Sequence, residues 1–125
     1  MAAWASFLGE ERIRAANARR DHPADVVAED ADGVWGFVAW DPETGELTRL
    51  YVHPRRWRAG VGRALLARAE EALRAAGVRR AWLHTEERGP AGAFYERCGW
   101  RRDGLPRVRD WHGARLVEPR YVKDL

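Results

Sequence analysis

At 125 residues the chain is expected to form a single domain, large enough to bury a core without disulfide or metal staples. Its composition, 46% hydrophobic and 33% charged with seven tryptophans, excludes a disordered or low-complexity polypeptide. The net charge of +3 rests almost wholly on arginine, an excess too small to mark a nucleic-acid binder, and nucleic acid is not an expected partner.

In chain order, residues 6–20 read as a helix, with Ser6 as cap, Glu10 and Glu11 in the early turns, and Phe7, Ile13 and Ala16 on an apolar face. Three antiparallel strands follow, 25–29, 34–41 and 46–52, joined by the turns Asp30–Gly33 and Pro42–Gly45. Val34–Trp40 is apolar on both faces, which places that strand inside the sheet. It is also the longest apolar run, well short of the roughly 18 residues of a membrane span, so no membrane partner is expected.

A helix over 60–76 presents Val61, Leu65, Ala69, Ala72, Leu73 and Ala76 on one side and stops at Gly77. The next strand is 78–85, parallel to its neighbour through the helical crossover, and a second helix runs from Gly89-Pro90 to Gly99. The tail reads as two strands around His112-Gly113, the last ending at 116–122. The lone Cys98 has no Cys or His at metal-ligand spacing, which points to a metal-free cytoplasmic protein.

The segment 46–66 carries the chemistry. A strand runs through a basic, glycine-bearing turn into the first long helix, whose opening N–H groups and dipole attract anions. Gly60 and Gly62 remove side chains where a phosphate would approach the backbone, and Arg58 and Arg63 flank the turn with charge-assisted donors.

Leu50-Tyr51-Val52, Pro54 and Arg58-Ala59-Gly60-Val61-Gly62 together resemble the acetyl-CoA site of the GNAT superfamily of N-acetyltransferases, a strand ending V-x-P followed by Q/R-x-x-G-x-G/A. Trp57 stands where the family has Gln or Arg. A second resemblance lies in Arg88 to Trp100: Ala91, Phe94, Tyr95, Glu96, Gly99 and Trp100 match N-x-x-A-x-x-F/L-Y-E-x-x-G-F/W, with Arg88 in place of Asn. The resemblance implies an α/β fold with a mixed central sheet, antiparallel in its N-terminal part and parallel at the cofactor cleft, flanked by helices. The residues before Asp25 leave no room for the family's first strand and helix, so the chain is expected to be N-terminally short, with a sheet edge that a second copy, as a homodimer, would cover.

The same resemblance implies a mechanism of direct acetyl transfer from acetyl-CoA to a primary amine. Backbone N–H groups of Leu50 to Val52 pair with the pantetheine arm and polarise the thioester carbonyl. Leu50, Tyr51, Val52, Arg58, Ala59, Gly60, Val61, Gly62, Arg63 and Arg88 are the expected cofactor contacts. Tyr95 is the expected general acid, because a phenol stays protonated at neutral pH.

A base is needed as well. An alkylamine is neutral about once in 10³ molecules at pH 7, a handicap of roughly 4–5 kcal/mol. Glu46, fourteen residues before Gly60, holds the position of the base in histone-type members. Strict alternation puts it on one face with Thr48, Leu50 and Val52. His84 is a second candidate, Glu86 and Glu87 are loop charges beside it, and His53 reads as structural. The acceptor is a small-molecule or peptide amine. Two other functions stay open: an acyl-CoA-binding or interaction module without turnover, and a basic nucleic-acid-binding protein, which predicts salt-dependent binding.

Overall fold

In a computed structural model of the chain, residues 12–15, as backbone, and 25–125 are described. The elements are β1 (Arg12–Ala15), β2 (Val26–Asp30), β3 (Gly33–Asp41), β4 (Glu46–Val52), a 3-10 turn (Pro54–Arg56), α1 (Val61–Ala75), β5 (Arg80–His84), α2 (Ala91–Arg97), β6 (Arg101–Arg102), β7 (Arg107–Trp111), β8 (Ala114–Glu118) and β9 (Arg120–Asp124). The main sheet has the order β1-β2-β3-β4-β5-β9-β6, and β7 and β8 form a separate hairpin. All pairings are antiparallel except β4 with β5. This is the expected mixed α/β sheet.

Short-range chemistry sets the first hairpins. Asp30 accepts hydrogen bonds from the Asp32 N–H at 2.8 Å and from the Trp35 indole at 2.6 Å, which pins the β2–β3 turn. Arg56 pairs with the same carboxylate at 2.6 Å and lies over the Trp35 ring at 4.1 Å. The indole bond, with Asp32 and Arg56, holds the Asp30 carboxyl below its ordinary range against the opposing effect of burial.

The core lies between one face of β2–β5 and α1. Val61, Leu65, Ala69 and Leu73, spaced four apart, are fully buried, and Ala64 and Leu66 widen the stripe. Val38 on β3 and Leu47 on β4 meet them from the sheet. The helix closes where the Gly77 N–H reaches the Arg74 carbonyl and the Val78 N–H reaches the Leu73 carbonyl, both at 3.0 Å.

One glycine fixes how tightly these layers approach. A Cβ on Gly36 would lie 2.7 Å from the Tyr51 carbonyl oxygen and 3.0 Å from Leu65 Cδ1. Gly36→Ala is therefore expected to destabilise the fold by about 1–3 kcal/mol through overpacking, read as a lower denaturant midpoint at unchanged slope.

Three expectations are corrected. Residues 12–15 form a strand, not part of a helix; the remainder of 6–20 lies outside the described residues. These residues satisfy their backbone groups by pairing with β2, from Arg12↔Glu29 to Ala15↔Val26, so a strand does stand ahead of the three expected ones. The edge of β2 reserved for a second copy is thus covered by the same chain. The last expected strand is divided at Pro119, which has no N–H to give a ladder: β8 ends before it and β9 begins after it, pairing with β5. His112 and Gly113, with φ of 48° and 81°, make the two-residue turn of the β7–β8 hairpin.

Candidate acyl-transfer cleft

β4 and β5 share a single parallel register pair, Glu46↔Trp82. Trp82 fastens that end, its backbone N–H bonded to the Gly45 carbonyl at 3.1 Å and its indole to the Thr44 carbonyl at 2.9 Å. Beyond it the strands part. A cleft of about 300 Å³ lies between them, walled by Leu47 to Tyr51 of β4 and by Leu83 and His84 of β5. Phe37, Thr85 and Tyr95 complete the lining.

The register decides which backbone groups look into the cleft. The His53 N–H bonds to the Trp35 carbonyl at 2.7 Å, so Tyr51 and His53 point their amides at β3. Leu50 and Val52, at the alternate positions, turn N–H and C=O toward β5, which has no ladder partner for them. Trp57, in the position expected for Gln or Arg, donates its indole N–H to the Val52 carbonyl at 2.7 Å. The side chain missing from the motif is thus replaced by one that caps the strand end.

The side-chain faces differ from strict alternation. Ala39 pairs with Arg49 and Trp40 with Leu47, leaving Thr48 as an extra residue, a β-bulge. Cross-strand partners share a face, so Leu47, Leu50 and Val52 all point toward α1, with Val38 and Trp40. Glu46 is therefore not on their face, as alternation predicts, but on the opposite one with Arg49 and Tyr51. On β5, Ala81 and Leu83 are buried in the core, which leaves Trp82 and His84 on the side away from α1. His84 lines the cleft and Glu46, at the closed end, does not.

The basic turn after β4 leads into α1. His53 Nδ1 accepts the Arg55 N–H at 3.2 Å, and Arg58 and Gly60 adopt positive φ of 67° and 86°. For Arg58 that conformation is strained; for Gly60 it is the natural one, and it delivers the chain into α1 without a side-chain cap. The opening N–H groups at Val61, Gly62 and Arg63 are left for another acceptor. Gly62 also packs close: a Cβ there would sit 3.4 Å from Val52 Cγ2 and 3.4 Å from Phe94 Cζ, so the helix start adjoins the strand end and α2. Ala59 is partly buried against the core, and Arg58 and Arg63 are exposed.

Tyr95 is buried on α2, its ring among Phe94, Trp100 and Tyr121. Burial pushes its hydroxyl well above the usual range, and the neighbouring Cys98 adds to the shift. His84 Nδ1 lies 3.2 Å from the Glu118 carbonyl, which can only accept; a proton on Nδ1 leaves Nε2 of the neutral ring as an acceptor. Arg88 is not in the cleft lining. It is paired with Glu86 two residues earlier, Nε to Oε1 at 3.2 Å. Cys98 ends α2, its carbonyl bonded to Lys123 and its thiol pushed up mainly by burial. Thr48, Arg49 and Thr85 also line the cleft without having been singled out by sequence. The signal for Arg49, a charge within the motif strand, was present but masked by the assumption of alternation.

The profile of the Acetyltransferase (GNAT) domain matches residues 23–102. The chain belongs to the GNAT family. Acetyl-CoA is the cosubstrate of GNAT acetyltransferases, and the free amides of Leu50 and Val52 with the uncapped start of α1 fit it. Mycothiol acetyltransferase of Beutenbergia cavernae is 41% identical over 80 residues, 60% of this chain. Those residues span 27% of that protein's length. Among solved structures, the ribosomal-protein-alanine N-acetyltransferase of Brucella melitensis is 26% identical with a TM-score of 0.69, covering 80% of this chain and 67% of its own. A GNAT family acetyltransferase from Elizabethkingia anophelis, solved with acetyl-CoA bound, shares the fold at TM-score 0.68 and 14% identity, covering 94% and 99% of the two chains. No helix among the described residues is long and apolar enough to cross a membrane.

Proposed function

We propose that this chain transfers the acetyl group of acetyl-CoA to a primary amine by direct attack. The observation that carries the proposal is that the outward-turned Leu50 amide and the buried Tyr95 border one cleft, and that Val52, next on the same side of β4, adjoins Gly62 at the uncapped start of α1. When bound, acetyl-CoA supplies an activated thioester. The amides of Val61, Gly62 and Arg63 with the Arg58 and Arg63 guanidinium groups take the pyrophosphate, and the Leu50 and Val52 amides hold the pantetheine arm and polarise the carbonyl. Tyr95 gives its proton to the departing sulfur. Arg88, outside the cleft lining, must leave its exposed pair with Glu86 to reach the cofactor.

For the base, the geometry favours His84 over Glu46, because His84 lines the cleft and its Nδ1 contact orients Nε2 as acceptor. Glu46, at the closed end on the same side of the sheet, is the second candidate. His84→Gln is expected to lower kcat/KM about 10- to 100-fold and Glu46→Gln by less, in a thiol-release assay.

Titration calorimetry with acetyl-CoA tests the proposal at its root: absence of binding at submillimolar cofactor would overturn it. Binding without thiol release from any amine would instead favour the acyl-CoA-binding module.

A further inference from the structure

We infer that the acceptor is an amine carrying an acidic group, and that Arg49 is the residue that selects it. The inference rests on the acetyl-transfer reading above and adds the class of acceptor.

The bulge at Thr48 gathers Thr48 and Arg49 where alternation would have separated them, and both are exposed on the cleft wall, on the sheet side away from α1. In the acetyl-transfer reading the pyrophosphate lies at the start of α1, past Val52, and the acceptor enters from the Arg49 side of the sheet. Among the described residues that line the cleft, Arg49 is the only arginine or lysine, and no aspartate or glutamate stands with it.

Four other arginines, Arg88, Arg107, Arg109 and Arg120, contrast with it. Arg107 and Arg109 reach Glu118 at 3.1 and 2.8 Å, Arg120 reaches Asp103 at 2.8 Å, and Arg88 reaches Glu86 at 3.2 Å. Arg49 has no ion pair among the described residues. The acidic groups on its own face, Asp41 and Glu46, stand paired across β3 and β4 at the closed end, and neither bridges to it. Among the described residues the cleft therefore presents an unmatched guanidinium, whose planar fork fits a carboxylate or phosphate and repels a polyamine or a lysine-rich segment.

The test compares acceptors matched in shape: glutamate with glutamine, phosphoethanolamine with ethanolamine, and spermidine as polycation. The expected result is a kcat/KM about 10- to 100-fold higher for an acid than for its neutral partner, the worth of one charge-assisted hydrogen bond. The two pairs distinguish carboxylate from phosphate. In Arg49→Ala the preference should collapse through KM for the acid, and in Arg49→Glu it should invert toward spermidine.

A wild-type preference for spermidine, or an Arg49→Ala loss equal for every acceptor, overturns the inference. Should no acceptor release thiol, the acetyl-transfer reading fails on its own. The preference is then read by calorimetry on the CoA-saturated chain, as tighter binding of N-acetylglutamate than of N-acetylglutamine; equal affinities overturn it.

Discussion

Tyr95→Phe is expected to lower kcat by about 10²- to 10³-fold while the dissociation constant for acetyl-CoA moves by only a few-fold. The phenylalanine ring keeps the contacts with Phe94, Trp100 and Tyr121, at centroid distances of 5.3, 5.8 and 6.2 Å, so the loss isolates the hydroxyl. Steady-state kinetics beside a melting curve check it: unchanged kcat with a lowered Tm would reduce Tyr95 to a packing residue.

The pH profile should carry the same signature. Because burial raises the Tyr95 hydroxyl above its ordinary value, its protonated form persists beyond about pH 10. The wild-type rate should therefore rise with pH as the amine loses its proton. No decline from Tyr95 ionisation is expected below about pH 10.

The second large effect concerns stability. Glu70→Ala is expected to cost about 3 kcal/mol, read from denaturant unfolding at unchanged slope. The Glu70 carboxylate, nearly buried, accepts the Trp100 indole N–H at 3.0 Å and the Lys123 ammonium at 2.7 Å, and Lys123 also reaches the Cys98 carbonyl at 2.8 Å. Three elements, α1, the end of α2 and β9, meet on that one side chain. Its removal leaves a buried indole donor unsatisfied and the chain's only lysine without its counter-ion. Glu70→Gln, which keeps a hydrogen-bonding oxygen, should lose less than Glu70→Ala.

Much of the architecture is written locally. Asp30, Gly33 and Gly45 punctuate the first three described hairpin strands after β1, and the four-residue spacing of Val61, Leu65, Ala69 and Leu73 declares α1. Gly60 and Gly62 mark the start of α1, where the positive φ of the first and the close packing of the second both favour glycine. What escaped depends on partners distant in sequence. β1 is a strand because β2 offers an edge, and the bulge at Thr48 arises from pairing between β3 and β4, so the face of Glu46 could not be read from β4 alone. Residues 107–118 were legible as a hairpin, from His112-Gly113, but not as one standing apart from the main sheet. The motif places Arg88 at the cofactor, and its ion pair with Glu86, two residues away, is a local contact that the motif does not show.

The single rung between Glu46 and Trp82 has a consequence for exchange with solvent. β4 is central by position, yet past that rung the Leu50 and Val52 amides lack the ladder that shields a central strand. In the unliganded chain these two amides should exchange hydrogen as an edge strand's do, while Tyr51 between them stays protected by β3. The sheet thus carries a solvent-accessible edge in its interior, and a ligand entering there takes the part of the absent strand.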